Sequence, residues 1–169
     1  MRIKQIMGVV TGMVMLATLA ASPVAIAAVD MFLKLDGIDG ESIATGHVNE
    51  IDVLAWSWGA ARSNKPVCVS VQDISFTHYV DKASPKLIEK VATGQPIPNA
   101  KLTVLKAGSP EYMLLEMSNV IVSSLSTGGS GGEYRLTENV TLNFAAMKFT
   151  YTTPTGSQGV ANIANTCRN

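Results

Sequence analysis

Apolar and polar residues alternate with a spacing of two along most of this chain, a period that predicts strands rather than helices. Residues 30–35 read as a first strand, stopped by the turn dipeptides Asp36-Gly37 and Asp39-Gly40. After a small, polar loop at 41–46, a second strand spans about 48–60 and carries both tryptophans of a chain that is only 6% aromatic. Trp56 and Trp58 lie two apart, so on a strand they share one face and Ser57 takes the other. A helix would set the two indoles about 200° apart. The apolar parity shifts between Ile51/Val53 and Leu54/Trp56, which predicts a bulge there or burial on both faces. This strand is expected to lie at the centre of the core, with Trp56 and Trp58 as its largest apolar side chains.

Residues 61–66 read as a connecting loop and 67–80 as a long strand. Val67, Val69 and Val71 share one parity while Ile74 and Phe76 share the other, so the strand should bend at Gln72-Asp73 and serve two sheets. One helix is expected at about residues 85–93, with Ser84 as N-cap, Pro85 at the first position and Gly94 just past the end. Leu87, Ile88 and Val91 would form its apolar stripe. Strands resume at 100–107, 111–125 and 136–151, the last changing parity at Ala145-Ala146. The glycine-rich stretch 126–132 joins the last two as a hairpin loop, and residues 154–169 read as a polar, loose tail. The sum is mainly β: six or seven strands and one helix, in a barrel or sandwich.

The first residues stand apart from this pattern. Arg2 and Lys4 precede an uncharged apolar run that ends at Pro23 and Ala25-Ile26-Ala27, the layout of a secretory signal peptide over residues 1–27. An uncleaved membrane anchor is the competing reading, against which Pro23 and the small-residue site weigh. No Cys follows the apolar run, so a lipoprotein anchor is excluded. Cleavage leaves 142 residues, enough for one domain with a real core. Loss of Arg2 and Lys4 takes the 13 basic residues to 11 against 13 acidic ones, a net charge of about −2 that offers no footprint for nucleic acid. In an oxidising compartment Cys68 and Cys167 can form a disulfide, within one subunit or between two, and sequence does not decide between these and two free thiols.

Motifs for chemistry are missing. The glycines at 128–132 lead into Glu133 rather than the Lys-Ser/Thr of a phosphate-binding loop. His47 and His78 stand 31 residues apart without metal-ligand spacing, and read as a loop residue and a strand residue near a sheet edge. Asp36, Asp39 and Glu41 lack calcium-loop spacing and read as solvated turn carboxylates. Neither a nucleophile elbow nor a Cys-His signature occurs. No catalysis and no cofactor are expected.

Several stretches, taken together and in order, resemble one family. Asp30-Met31-Phe32-Leu33-Lys34-Leu35, Glu50-Ile51-Asp52-Val53-Leu54-Ala55-Trp56-Ser57-Trp58-Gly59 and Val71-Gln72-Asp73-Ile74-Ser75-Phe76-Thr77 are similar to the haemolysin-coregulated protein (Hcp) family. Tyr79-Val80-Asp81-Lys82-Ala83-Ser84-Pro85, Leu102-Thr103-Val104-Leu105-Lys106-Ala107-Gly108 and Arg135-Leu136-Thr137-Glu138-Asn139-Val140 extend the likeness over residues 28–155. The resemblance implies a β-barrel of two antiparallel sheets with one short flanking helix. It also implies a tube subunit of a type VI secretion system: homohexameric rings that stack, meet spike and sheath components, and carry effectors in the bore. With Trp56 and Trp58 in the barrel core, Ser57 would face the lumen and contact effector cargo. Three features depart from the pattern: the leader, a short connection at 60–66, and the unmatched tail at 156–169 that ends near Cys167. They keep a second reading open, an exported periplasmic or extracellular Hcp-like binding protein without a tube role. An enzyme with an unrecognised site is a third and weaker one.

Overall fold

A computed structural model describes residues 29–62, 69–106 and 111–164. The leader and both Cys68 and Cys167 lie outside the described residues. Ten strands and one helix follow in order: β1 Val29–Leu35, β2 Ile51–Ser57, β3 Ala60–Arg62, β4 Val69–Val71, β5 Ile74–Tyr79, α1 Ser84–Thr93, β6 Ile97–Lys106, β7 Glu111–Gly128, β8 Thr137–Asn143, β9 Ala146–Thr152 and β10 Gln158–Ala164.

All the pairings are antiparallel, and the main sheet runs β10-β9-β7-β6-β1-β2-β5-β8, with β7 also pairing β8 to close a barrel. The 18-residue β7 serves both halves of the barrel. Its first part pairs β6 and β9, and its second part pairs β8. Inside lie Leu33, Ile51, Ile74, Phe76, Leu102, Leu115, Leu142 and Phe144, each at most 2% exposed.

The parity reading of the strands explains this layout. The register of β2 against β5 shifts between Val53 and Ala55, where the apolar positions change face. The stretch before Tyr79 breaks at Gln72-Asp73: β4 pairs β3 in a separate two-stranded sheet, while β5 enters the barrel. The stretch 136–151 likewise divides into β8 and β9 around Phe144-Ala145. These two breaks account for part of the difference between the six or seven strands expected and the ten observed among the described residues. Two further segments supply the rest. Ala60, read as the end of the second strand, and residues 61–62, read as loop, pair as β3, and within the polar tail 158–164 pair along all of β9 as β10. Backbone hydrogen bonds are indifferent to side-chain polarity, so an edge strand can form without an apolar face.

α1 ends as expected on Gly94, whose φ of 65° suits the left-handed cap. Its start differs. Ser84 is the first helical residue and Ala83 the N-cap, without a side-chain cap of its own. The Ser84 hydroxyl is engaged elsewhere, donating to a buried carboxylate oxygen of Glu138 at 2.5 Å. Leu87 is buried against the barrel, but Ile88 and Val91 are exposed by 50% and 38%, so the expected three-residue stripe is not buried. The buried residues of α1 are Ser84 and Leu87, three apart on one face.

Trp56 and Trp58 are half-buried and pack against the core cluster, whose largest fully buried side chains are Phe76 and Phe144. Trp58 falls just after β2 ends, and its Nε1 is buried without a partner.

Candidate functional site: a hydroxyl-lined sheet face

Strands β2, β5, β8 and the second part of β7 form one continuous four-stranded wall. Alternation gives each strand one dry and one wet face. On β5, Ile74, Phe76 and His78 point inward, while Ser75, Thr77 and Tyr79 are half-buried on the outer side. On β8, Glu138, Val140 and Leu142 are buried and Thr137, Asn139, Thr141 and Asn143 face out.

Register aligns the outward residues into rows. Ser57 stands beside Ser75, Ser75 beside Thr141, and Thr141 beside Ser124. The next row runs Ala55, Thr77, Asn139, Ser126. Asn139 knits the two rows, accepting from Ser75 Oγ at 2.9 Å and donating to Thr77 Oγ1 at 3.1 Å. None of these eight side chains is ionisable. Charge lies near the ends of the wall, with the Arg135 guanidinium 4.1 Å from the centre of the Tyr79 ring and Asp73 accepting from Ser123 and Asn143.

Ser57 is exposed, in a hollow of about 140 Å³ lined by Ala55, Trp56, Ser75, Thr77 and Asn139. It also stands at an edge. β1 pairs β2 only at Phe32–Asp52 and Leu33–Ile51, so Val53–Ser57 have no strand beside them on that side among the described residues. The opposite side repeats this, since the β6–β7 pairing stops at Val120 and β7 from Ile121 onward pairs β8 alone. Among the described residues the wall therefore has two free edges, one at each side.

The inner face of the same wall holds a polar group that sequence reading misplaced. His78 is not near a sheet edge: β5 is flanked by β2 and β8, and the imidazole is fully buried. Its Nε2 lies 2.9 Å from Glu138 Oε1, off the N–H axis, and its Nδ1 lies 3.9 Å from Asp81 Oδ1. Burial pushes the His78 pKa down, opposed by the charges of Glu138 and Asp81. The Asp81 carboxyl is pushed up, again chiefly by burial. Ser84, His78 and Glu138 together suggest an activated nucleophile, but the Ser84 hydroxyl is directed at the acid rather than the imidazole. The serine–histidine contact that would activate the hydroxyl is therefore not made. The signal that places this group inward was present in strand parity, because His78 follows Ile74 and Phe76, and Glu138 precedes Val140 and Leu142. His47 is not part of it. Its ring stacks on Phe32 at 4.3 Å, with Nδ1 2.8 Å from Glu50 Oε2.

The family model described as type VI secretion system effector, Hcp, matches residues 32–151, which takes in every strand of the hydroxyl-lined wall. The chain belongs to the Hcp family. Protein hcp1 of Pseudomonas aeruginosa is 50% identical over 135 residues, covering 73% of this chain and 83% of that protein. Among solved structures, Hcp1 from Salmonella typhimurium superposes with a TM-score of 0.74 at 39% identity, over 82% of this chain and 95% of its own. A type VI secretion system effector from Yersinia pestis gives 0.73 at 37% identity, over 80% and 99%. The Hcp fold is thus shared by this chain, a closed antiparallel β-barrel with one helix among the described residues. No helix among the described residues is long and apolar enough to cross a membrane.

Proposed function

We propose that this Hcp protein is a structural tube subunit: six copies close into a ring, rings stack, and the hydroxyl-lined wall faces a bore that holds effector cargo. The observation that carries this reading is the wall with two unpaired edges on opposite sides. An open strand edge invites pairing with another chain. Joining the β2 edge of one copy to the β7 edge of the next is a head-to-tail contact, which closes into a ring when the rotation permits and leaves no wall edge free. The number six comes from the family resemblance. A bore lined by Ser57, Ser75, Thr141 and Ser124 presents neutral donors and acceptors to passing protein. In this role the chain needs no catalytic group, cofactor or nucleic acid, and its contacts are other copies, cargo, and the spike and sheath.

Native mass measurement tests the ring, with a hexamer expected and a monomer sinking the reading. Ser57→Tyr should leave the ring intact and weaken cargo retention in co-purification, and undiminished retention removes Ser57 from the cargo site. The exported binding protein is the second reading, favoured by the signal-peptide pattern at residues 1–27. It takes over if the protein is a monomer that leaves the cell through general export with the type VI machinery deleted. In the periplasm or outside the cell, Cys68 and Cys167 would be free to oxidise, and non-reducing peptide mapping distinguishes an internal bridge from one between subunits.

A further inference from the structure

Behind the hydroxyl-lined wall, four polar side chains from four segments meet away from water. His78 comes from β5, Glu138 from β8, Ser84 from α1 and Asp81 from the turn between β5 and α1. The first three are at most 5% exposed and Asp81 is half-buried. His78 and Glu138 are cross-strand partners. The Glu138 oxygen that faces Nε2 also takes the Ser84 hydroxyl. Apart from the Tyr79 backbone, which favours the protonated ring, the imidazole's other neighbours are apolar, with Val53 beside it on β2 and the Phe76 ring at 5.4 Å. Further charges are set outside this space. Glu41 accepts from the Lys82 backbone N–H, Lys82 Nζ donates to Asn49, and Arg135 covers Tyr79 on the outer face.

One oxygen stands in two places at once. Asp81 Oδ1 accepts the Ala83 N–H at 2.8 Å, which anchors the chain just ahead of α1, and it also lies 3.9 Å from His78 Nδ1. Ala83 supplies no side-chain cap, so the entry to α1 depends on Asp81 and on Ser84, whose Oγ accepts the Asp81 N–H at 3.1 Å.

We infer that His78, Asp81, Glu138 and Ser84 form a proton-operated latch on the first turn of α1. While Nδ1 is bare it has no claim on Asp81, and Oδ1 holds the Ala83 N–H. A proton taken from solvent onto Nδ1 makes a buried imidazolium whose new positive charge faces the Asp81 carboxylate across 3.9 Å. It draws Oδ1 across the gap, and the Ala83 N–H loses its acceptor. The first turn then opens. Burial of His78 moves this event to the acid side of the ordinary histidine range.

The test follows amide exchange of residues 83–87, corrected for intrinsic rate, alongside the His78 ring proton from about pH 7.5 to about pH 4.5. Ala83 protection should fall about tenfold across the midpoint of the ring titration, the effect of one pK unit of coupling. Asp81→Asn keeps an acceptor for Ala83 but offers no charge to the imidazolium, so its ring should titrate with Ala83 protection unchanged. Flat protection through the wild-type midpoint, an equal loss in Asp81→Asn, or a ring that never titrates while the protein is folded would each overturn the latch.

Discussion

Neighbouring residues of β5 and β8 have opposite chemistry across the thickness of one sheet. Thr77 faces Asn139 on the wet side, and one residue further along His78 faces Glu138 on the dry side. Outside, side chains are small, neutral and able to exchange protein partners for water, so each contact is worth little. Inside, water offers nothing in exchange. Ser84 has its partner in Glu138, while the two His78 nitrogens face carboxylates without a hydrogen bond, so removing Glu138 leaves the others without their nearest polar neighbour. The outer face can therefore vary to suit what it touches, whereas the inner group is fixed by its own geometry.

Glu138→Ala puts the largest load on this contrast. It removes the acceptor of the Ser84 hydroxyl and the group facing His78 Nε2 in one step. With His78 neutral, the change leaves a buried imidazole and hydroxyl without this acceptor, at a cost of about 1–3 kcal/mol. Denaturant unfolding at one fixed protein concentration measures it, since any assembly would otherwise add to the apparent stability. Glu138→Gln retains an oxygen for Ser84 and should lose distinctly less. If Glu138→Ala cost under about 1 kcal/mol, the inner group would behave like the outer face, and the distinction would fail.

Acid should expose the same contrast more gently. Burial holds His78 below its ordinary value, so the unfolded chain binds a proton that the folded chain refuses. Stability is full above about pH 6.5 and declines as pH drops toward the folded value, by up to about 1.4 kcal/mol per pH unit in that window. Asp81 acts in the other sense. Its raised carboxyl lets the folded chain take up a proton first, so part of the loss returns as pH falls through that raised value toward the ordinary carboxylate range. Unfolding curves of the wild type and His78→Gln, taken at matched pH, separate the two. The decline that sets in below about pH 6.5 should be absent in His78→Gln.

Sequence reading went furthest where the pattern is local. Parity alone located the irregularity after Val53, the bend at Gln72-Asp73 and the division of 136–151, because a strand that changes partners must change its buried face. Gly94 stopped the helix for the backbone reason expected of it. Non-local facts were harder. His78 and Glu138 lie 60 residues apart and meet only through strand register, and the same meeting explains why Ser84 deserts the cap that its position suggested. β10 escaped because an edge strand exposed along almost its whole length carries no apolar alternation. The free edges of β2 and β7 are properties of pairings that stop, which no single stretch of residues records. Ser57 was identified by facing away from two tryptophans, and the company it keeps, Ser75, Thr141 and Ser124, came from three distant strands.

The smallest effect belongs to the outer rows. Asn139→Ala removes a side chain that accepts from Ser75 and donates to Thr77, yet both hydroxyls are then left near water. The loss should be about 0.5 kcal/mol, the scale of a surface change away from special features. Thr77→Val should do no more, because β-branching suits the strand and only one solvent-replaceable contact disappears. If either cost about 2 kcal/mol, the two rows would be a structural network in their own right, and their neutrality would follow from folding. Small costs mean that stability leaves these positions open, so that serine, threonine and asparagine there, rather than charge, answer to whatever the wall contacts.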